Sequence, residues 1–124
     1  MVRTTLTPEA KVKKDLKRLL DDHGIFHFSP IAGGMTKAGI PDIIACFGGD
    51  FAGIEVKATA KHKLTSLQNR RAQEIQFAGG RTLLIHADNL AWFAELLVDY
   101  FKFSPAKRAN RLVPFLCPLQ NDHD

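Results

Sequence analysis

Two β-like runs, Pro41 to Phe47 and Phe51 to Lys57, lie on either side of Gly48-Gly49-Asp50. Runs of this length around a glycine pair form a β-hairpin, because glycine reaches the positive φ angles that let a tight turn follow the twist of its strands. If the loop is Gly48-Gly49, then Phe47 faces Asp50. Counting outward from there pairs Ala45 with Ala52, Ile43 with Ile54 and Asp42 with Glu55. Two carboxylates then oppose each other across the ladder with Cβ atoms about 4.5–5.5 Å apart, a destabilising arrangement unless a cation compensates it. Strand alternation puts Lys57 on the face of Glu55, and Ile54 and Val56 on the other. A loop of odd length would offset the two acids by one residue, so their meeting depends on the turn.

The rest of the chain predicts the order α, β, β, β, α, β, α. Thr7 caps a first helix that starts at Pro8 and stops at Gly24, with Val12, Leu16, Leu19 and Leu20 at helical spacing. Glu9 lies three residues before Val12 and seven before Leu16, so it shares their face and is expected toward the interior or a cleft edge. Lys11, Lys14 and Arg18 form another stripe, facing solvent or phosphate. Ile25 to Ser29 reads as a strand, Pro30 to Gly39 as a loop, Thr65 to Ala78 as a helix and Thr82 to His86 as a strand. Asp88 is expected to cap a third helix reaching about Lys102. Thr65-Ser66-Leu67-Gln68 matches a capping box, which gives Gln68 a structural role beside any chemical one.

With 124 residues, 45% of them hydrophobic, the chain can bury one core but not two. Residues 1–102 are expected to form that domain and 103–124 a tail. A net charge of +4 permits a polyanionic partner. No apolar run is long enough to span a membrane and the opening residues lack a signal-peptide pattern, so an intracellular protein is expected, cytoplasmic or nucleoid-associated. Cys46 and Cys117 have no partner spacing for a disulfide framework or a zinc site and are expected to be buried or inert thiols. The third helix carries only Glu95 and Asp99 as charges between Leu90 and Phe101. One of its apolar sides is therefore left for the tail, through Leu112-Val113-Pro114-Phe115-Leu116, or for a second subunit.

The chemistry follows from the hairpin. A few hard oxygen ligands suit Mg²⁺ or Mn²⁺, which complete their shells with water and substrate phosphate, and a neighbouring lysine can orient water and stabilise charge developing on phosphorus. Phosphodiester hydrolysis is the implied reaction. Lys61, Lys63, Arg70 and Arg71 beside the hairpin, Lys37 before it and the stripe on the first helix are the candidate phosphate contacts.

The segments Gly39-Ile40-Pro41-Asp42-Ile43-Ile44, Ile54-Glu55-Val56-Lys57, Leu64-Thr65-Ser66-Leu67-Gln68 and Gly79-Gly80-Arg81-Thr82-Leu83-Leu84 together resemble the VRR-NUC family of the PD-(D/E)xK nuclease superfamily. The resemblance covers about residues 7 to 100. It implies an α/β, restriction-endonuclease-like fold, a mixed β-sheet flanked by α-helices. It also implies metal binding by Asp42, Glu55 and the Val56 backbone carbonyl, with Lys57, Glu9 and Gln68 completing the catalytic set. Free-standing members are implied to act as homodimers on branched DNA such as four-way (Holliday) junctions. A catalytically inactive nucleic-acid-binding module of the same fold, or an interaction protein with a purely structural hairpin, is the alternative. The intact Asp42, Glu55 and Lys57 favour the enzyme.

Overall fold

Gly48 and Gly49 adopt φ angles of 53° and 95°, conformations in which a Cβ would be strained. The two-residue turn they make sets the register of the hairpin: Phe47 pairs with Asp50, Ala45 with Ala52 and Ile43 with Ile54, as the even-loop count requires. The computed structural model describes residues 5–31 and 37–103. Around the hairpin, formed by β2 (Ile43–Phe47) and β3 (Asp50–Val56), stand α1 (Pro8–Asp22), β1 (His27–Phe28), α2 (Ser66–Phe77), β4 (Arg81–Ile85) and α3 (Leu90–Phe103). Residues 104–124, with the expected tail's Leu112–Leu116 run and Cys117, lie outside the described residues.

The sheet runs β1-β2-β3-β4, antiparallel between the first three strands and parallel between β3 and β4. α2 provides the crossover that a parallel pair needs. The result is a mixed sheet flanked by helices, the expected fold class. Two strands are shorter than their sequence runs. Ile25 donates its N–H to Leu20 O in the turn that ends α1, so β1 starts only at His27. Pro41 has no N–H to give the ladder, and β2 starts after Asp42.

The third helix corrects a sequence expectation. It begins at Leu90, which puts Asn89 rather than Asp88 at the cap position. Asn89 Oδ1 accepts the His86 N–H at 2.8 Å and its Nδ2 donates to Leu84 O at 2.8 Å. Asp88 instead accepts the Ala60 N–H at 3.0 Å, tying down the loop after β3. Cys46 is exposed rather than buried, because alternation along β2 turns Ile43, Ala45 and Phe47 inward and Cys46 away.

The core lies on one face of the sheet. Ile43, Ala45, Phe47, Ala52, Ile54, Val56 and Ile85 pack there against Val12, Leu16 and Leu20 of α1 and Phe93 and Leu97 of α3. Phe93 meets Phe47 edge-on, with ring centroids 6.0 Å apart. α2 covers part of the other face with no buried residue of its own. It comes close at Gly53, where a Cβ would lie 2.9 Å from Ile75 Cδ1 and 2.8 Å from Pro41 Cγ.

Candidate active site

Asp42, immediately before β2, accepts the Val56 N–H through Oδ2 at 2.9 Å, which fixes the direction of its carboxylate beside β3. Glu55 is buried, 6% exposed, and is the one charged side chain among the described residues to be so. Its carboxyl is pushed up to about 8 by burial first, then by a hydrogen bond to Asp42 and by the negative charge of Asp42, with Lys57 and Lys13 acting in the opposite direction. The two acids therefore meet as the hairpin register implies, and burial beside Asp42 favours the protonated form of Glu55.

Lys57 lies one residue beyond β3, half-buried, with its N–H on Ile85 O at 3.0 Å. Its Nζ donates to Gln68 Oε1 at 3.1 Å. The same Oε1 accepts the Thr65 N–H at 2.9 Å, and Gln68 donates its own N–H to Thr65 Oγ1 at 3.1 Å. The capping box and the lysine contact thus coexist, and the helix start is what aims the amide at Lys57. Glu55 and Gln68 line one cavity of about 210 Å³ with Pro41, Gly53 and Leu84.

The other candidate residues are more dispersed. Glu9 is exposed in the first turn of α1 and borders a groove of about 350 Å³ with Lys13, Lys14 and Lys17. This is a cleft edge rather than the interior, because burial on that face of the helix starts only at Val12. Lys11, Lys14, Arg18, Lys37, Lys61 and Lys63 are exposed. Arg70 is exposed and lies 3.9 Å from Glu74. Arg71 is half-buried and structurally engaged: its Nε donates to Ala38 O at 3.0 Å and its Nη1 reaches Glu74 at 2.9 Å, which pins the chain before Pro41 to α2. Lys13 escaped the sequence reading. Its Nζ is 3.7 Å from Asp42 Oδ1. The signal was present, since Lys13 follows Glu9 by four residues and therefore shares its helix face.

Among the described residues no group of three or more His, Cys, Asp or Glu side chains is placed to hold a metal ion. Two carboxylates are what the site offers. That donor set does not suit zinc, which takes a fuller set of protein ligands, and does suit a hard cation that keeps several waters. A buried Glu55 beside Asp42, its carboxyl raised by burial first and by Asp42 second, fits this donor set, since a divalent charge between the two acids would offset both the burial and their repulsion. No helix among the described residues is long and apolar enough to cross a membrane.

A family model described as archaeal Holliday junction resolvase (Hjc) matches residues 9–84, from the first turn of α1 into β4, so that Glu9, Asp42, Glu55, Lys57 and Gln68 all fall inside the match. No curated protein and no solved structure matches the chain.

Proposed function

Because the chain belongs to the archaeal Holliday junction resolvase family, within the PD-(D/E)xK nuclease superfamily, we propose that Asp42, Glu55 and the Val56 carbonyl form its metal site, with Mg²⁺ or Mn²⁺ as the cation. The chain is a metal-dependent nuclease selective for branched DNA. The motif spacing that resembles the VRR-NUC family is read as the signature the two families share. The buried Glu55, hydrogen-bonded to Asp42, is the observation that carries the residue assignment.

A divalent cation bound there would supply positive charge to the phosphoryl oxygens and to the leaving oxygen. Asp42, oriented by the Val56 N–H, and Glu55, fixed in β3, would hold that charge at the hairpin mouth. The Lys57 ammonium, aimed by Gln68 Oε1, orients the attacking water and stabilises charge developing on phosphorus. Glu9 acts from the outer edge of the groove. Lys61 and Lys63, together with Lys11, Lys14, Arg18, Lys37, Arg70 and Arg71, are assigned to the DNA backbone. Arg71 contributes chiefly by holding the chain before Pro41, as its bond to Ala38 O supports.

The nuclease unit spans 1–102 and acts inside the cell as a homodimer, with 103–124 as its tail. Trp92, Leu96 and Val98, 52%, 43% and 56% exposed on α3, support a covered apolar side. Sedimentation equilibrium that found only a 13.8 kDa species at micromolar concentration would remove the dimer.

The direct test is cleavage of end-labelled four-way junctions and linear duplexes of the same sequence, with Mg²⁺ or with EDTA. The junction should be cut in Mg²⁺ alone and in preference to the duplex, and Asp42→Asn should bind the junction without cutting it. Cleavage by Asp42→Asn at the wild-type rate would overturn the site assignment.

A further inference from the structure

Lys13 has a place in the geometry that the mechanism above does not use. Its ammonium lies 3.7 Å from Asp42 Oδ1, and the two side chains are 31% and 27% exposed. Asp42 accepts the Val56 N–H through Oδ2 and meets the Glu55 carboxyl, and the cation within ion-pair range of its Oδ1 is Lys13. The position is also a junction between two cavities. Lys13 lines a cavity of about 330 Å³ with Lys37, Pro41 and Asp42, and it lines the groove of about 350 Å³ with Glu9, Lys14 and Lys17. An ammonium is a compact charge on a long flexible stem. It cannot keep its position against Oδ1 when a divalent cation takes that carboxylate, because the two positive charges then repel at close range. Its stem allows it to turn instead toward the groove, where Glu9 offers a carboxylate and Lys14 and Lys17 add positive charge for a bound phosphate.

Resting on the reading of Asp42 and Glu55 as the metal pair, we propose that Lys13 is a displaceable counter-charge, which holds Asp42 in the free protein, yields to the divalent cation and then binds a DNA backbone phosphate between α1 and Asp42. One side chain thereby couples loading of the metal to seating of the strand. Without DNA, the ammonium competes with the metal. With DNA, it has a phosphate to go to, and the competition is relieved.

Calorimetric titration with Ca²⁺ in the absence of DNA, and the salt dependence of four-way junction binding in Ca²⁺, test this on wild type, Lys13→Gln and Lys13→Arg. Lys13→Gln should bind Ca²⁺ about fivefold more tightly, the size of one unit charge at about 4 Å in a solvent-accessible setting. Its log–log salt slope for junction binding should be shallower by about 0.9, one phosphate contact, and Lys13→Arg should keep the wild-type slope. A purely structural role would move neither quantity in these directions. Unchanged or weaker Ca²⁺ binding by Lys13→Gln, or an unchanged slope, overturns the proposal. Asp42→Asn in the same titration separates the two levels: retained Ca²⁺ binding overturns the metal pair and the counter-charge together. Its loss, with neither effect in Lys13→Gln, overturns the counter-charge alone.

Discussion

The two faces of the sheet are held by different forces. Toward α1 and α3, Leu16, Leu20, Ile43, Ile54 and Ile85 are all 0% exposed, and the elements are locked by apolar burial. Toward α2 no helix residue is buried, and Phe77, Phe51 and Leu67 remain 95%, 49% and 37% exposed. α2 is positioned there by directional bonds: the Thr65–Gln68 box, the Gln68–Lys57 contact and the Arg71–Ala38 link. Glu55 belongs to this second face, as alternation with Ile54 and Val56 requires. Apolar packing is indifferent to charge, whereas a helix fixed by a few polar contacts leaves room beside a carboxyl for a cation and a phosphate. The chain breaks the rule of apolar burial where its chemistry is to occur and satisfies it on the opposite face.

The largest effect that separates the faces is expected at Glu55. Glu55→Gln should lower junction cleavage by on the order of a thousandfold, the scale of losing charge stabilisation at a reacting phosphate. It should also change the pH dependence of stability. The carboxyl rises from its ordinary 4.5 to about 8 in the folded, metal-free protein. The folded state therefore retains a proton that the unfolded state releases, and the stability this contributes is fully present below 4.5 and is lost as pH rises through about 8. Urea midpoints of wild type in EDTA should fall across that window relative to those of Glu55→Gln. Parallel curves would contradict the raised Glu55 carboxyl. For the same reason Ca²⁺ should bind more tightly as pH rises toward 8.

Next in size are truncations that compare the faces directly. Leu16→Ala or Phe93→Ala should cost about 2–5 kcal/mol in denaturant unfolding, because each opens a cavity in a fully packed layer. Ile75→Ala on α2 should cost about 1 kcal/mol, as for a half-exposed residue. Equal losses would mean that α2 is held by burial after all.

How much of this was legible in the sequence follows the same division. The glycine pair fixes a turn of defined length, and register is a count from that turn, so an even turn brings Asp42 and Glu55 together from residue order alone. The capping box is equally local, and the structural role of Gln68 followed from it, whereas its place beside Lys57 did not. What failed to appear depended on contacts between distant elements. Asp88 and Asn89 are both good caps by residue type, and only Leu84 O and the Ala60 N–H, brought in by the sheet and a loop, decide between them. Helical spacing gave Glu9 its face but not its depth, since the first turn of α1 precedes the buried part of the helix. Lys13 shares that face, yet its partner lies on another element, and spacing within one helix does not reveal what the helix packs against.

The smallest predicted effect asks whether the polar contacts that fix α2 also serve the chemistry. Thr65→Ala and Gln68→Ala each remove half of the capping box, and each should destabilise the protein by about 1 kcal/mol. Their effects on cleavage should differ, because only Gln68 Oε1 also accepts from Lys57 Nζ. A hydrogen bond to a charged group contributes about 1.5–3 kcal/mol, and part of that loss should reach the transition state when the ammonium is no longer aimed. Gln68→Ala should therefore cut junctions about tenfold more slowly than Thr65→Ala at saturating Mg²⁺. Thr65→Ala should stay close to wild type, because Lys57 can still find the amide. Single-turnover rates, measured well below the unfolding temperature of both variants, isolate this difference from stability. If the two variants lose stability and rate in equal measure, Gln68 is a cap and nothing more, and the aim of Lys57 comes from β3 alone.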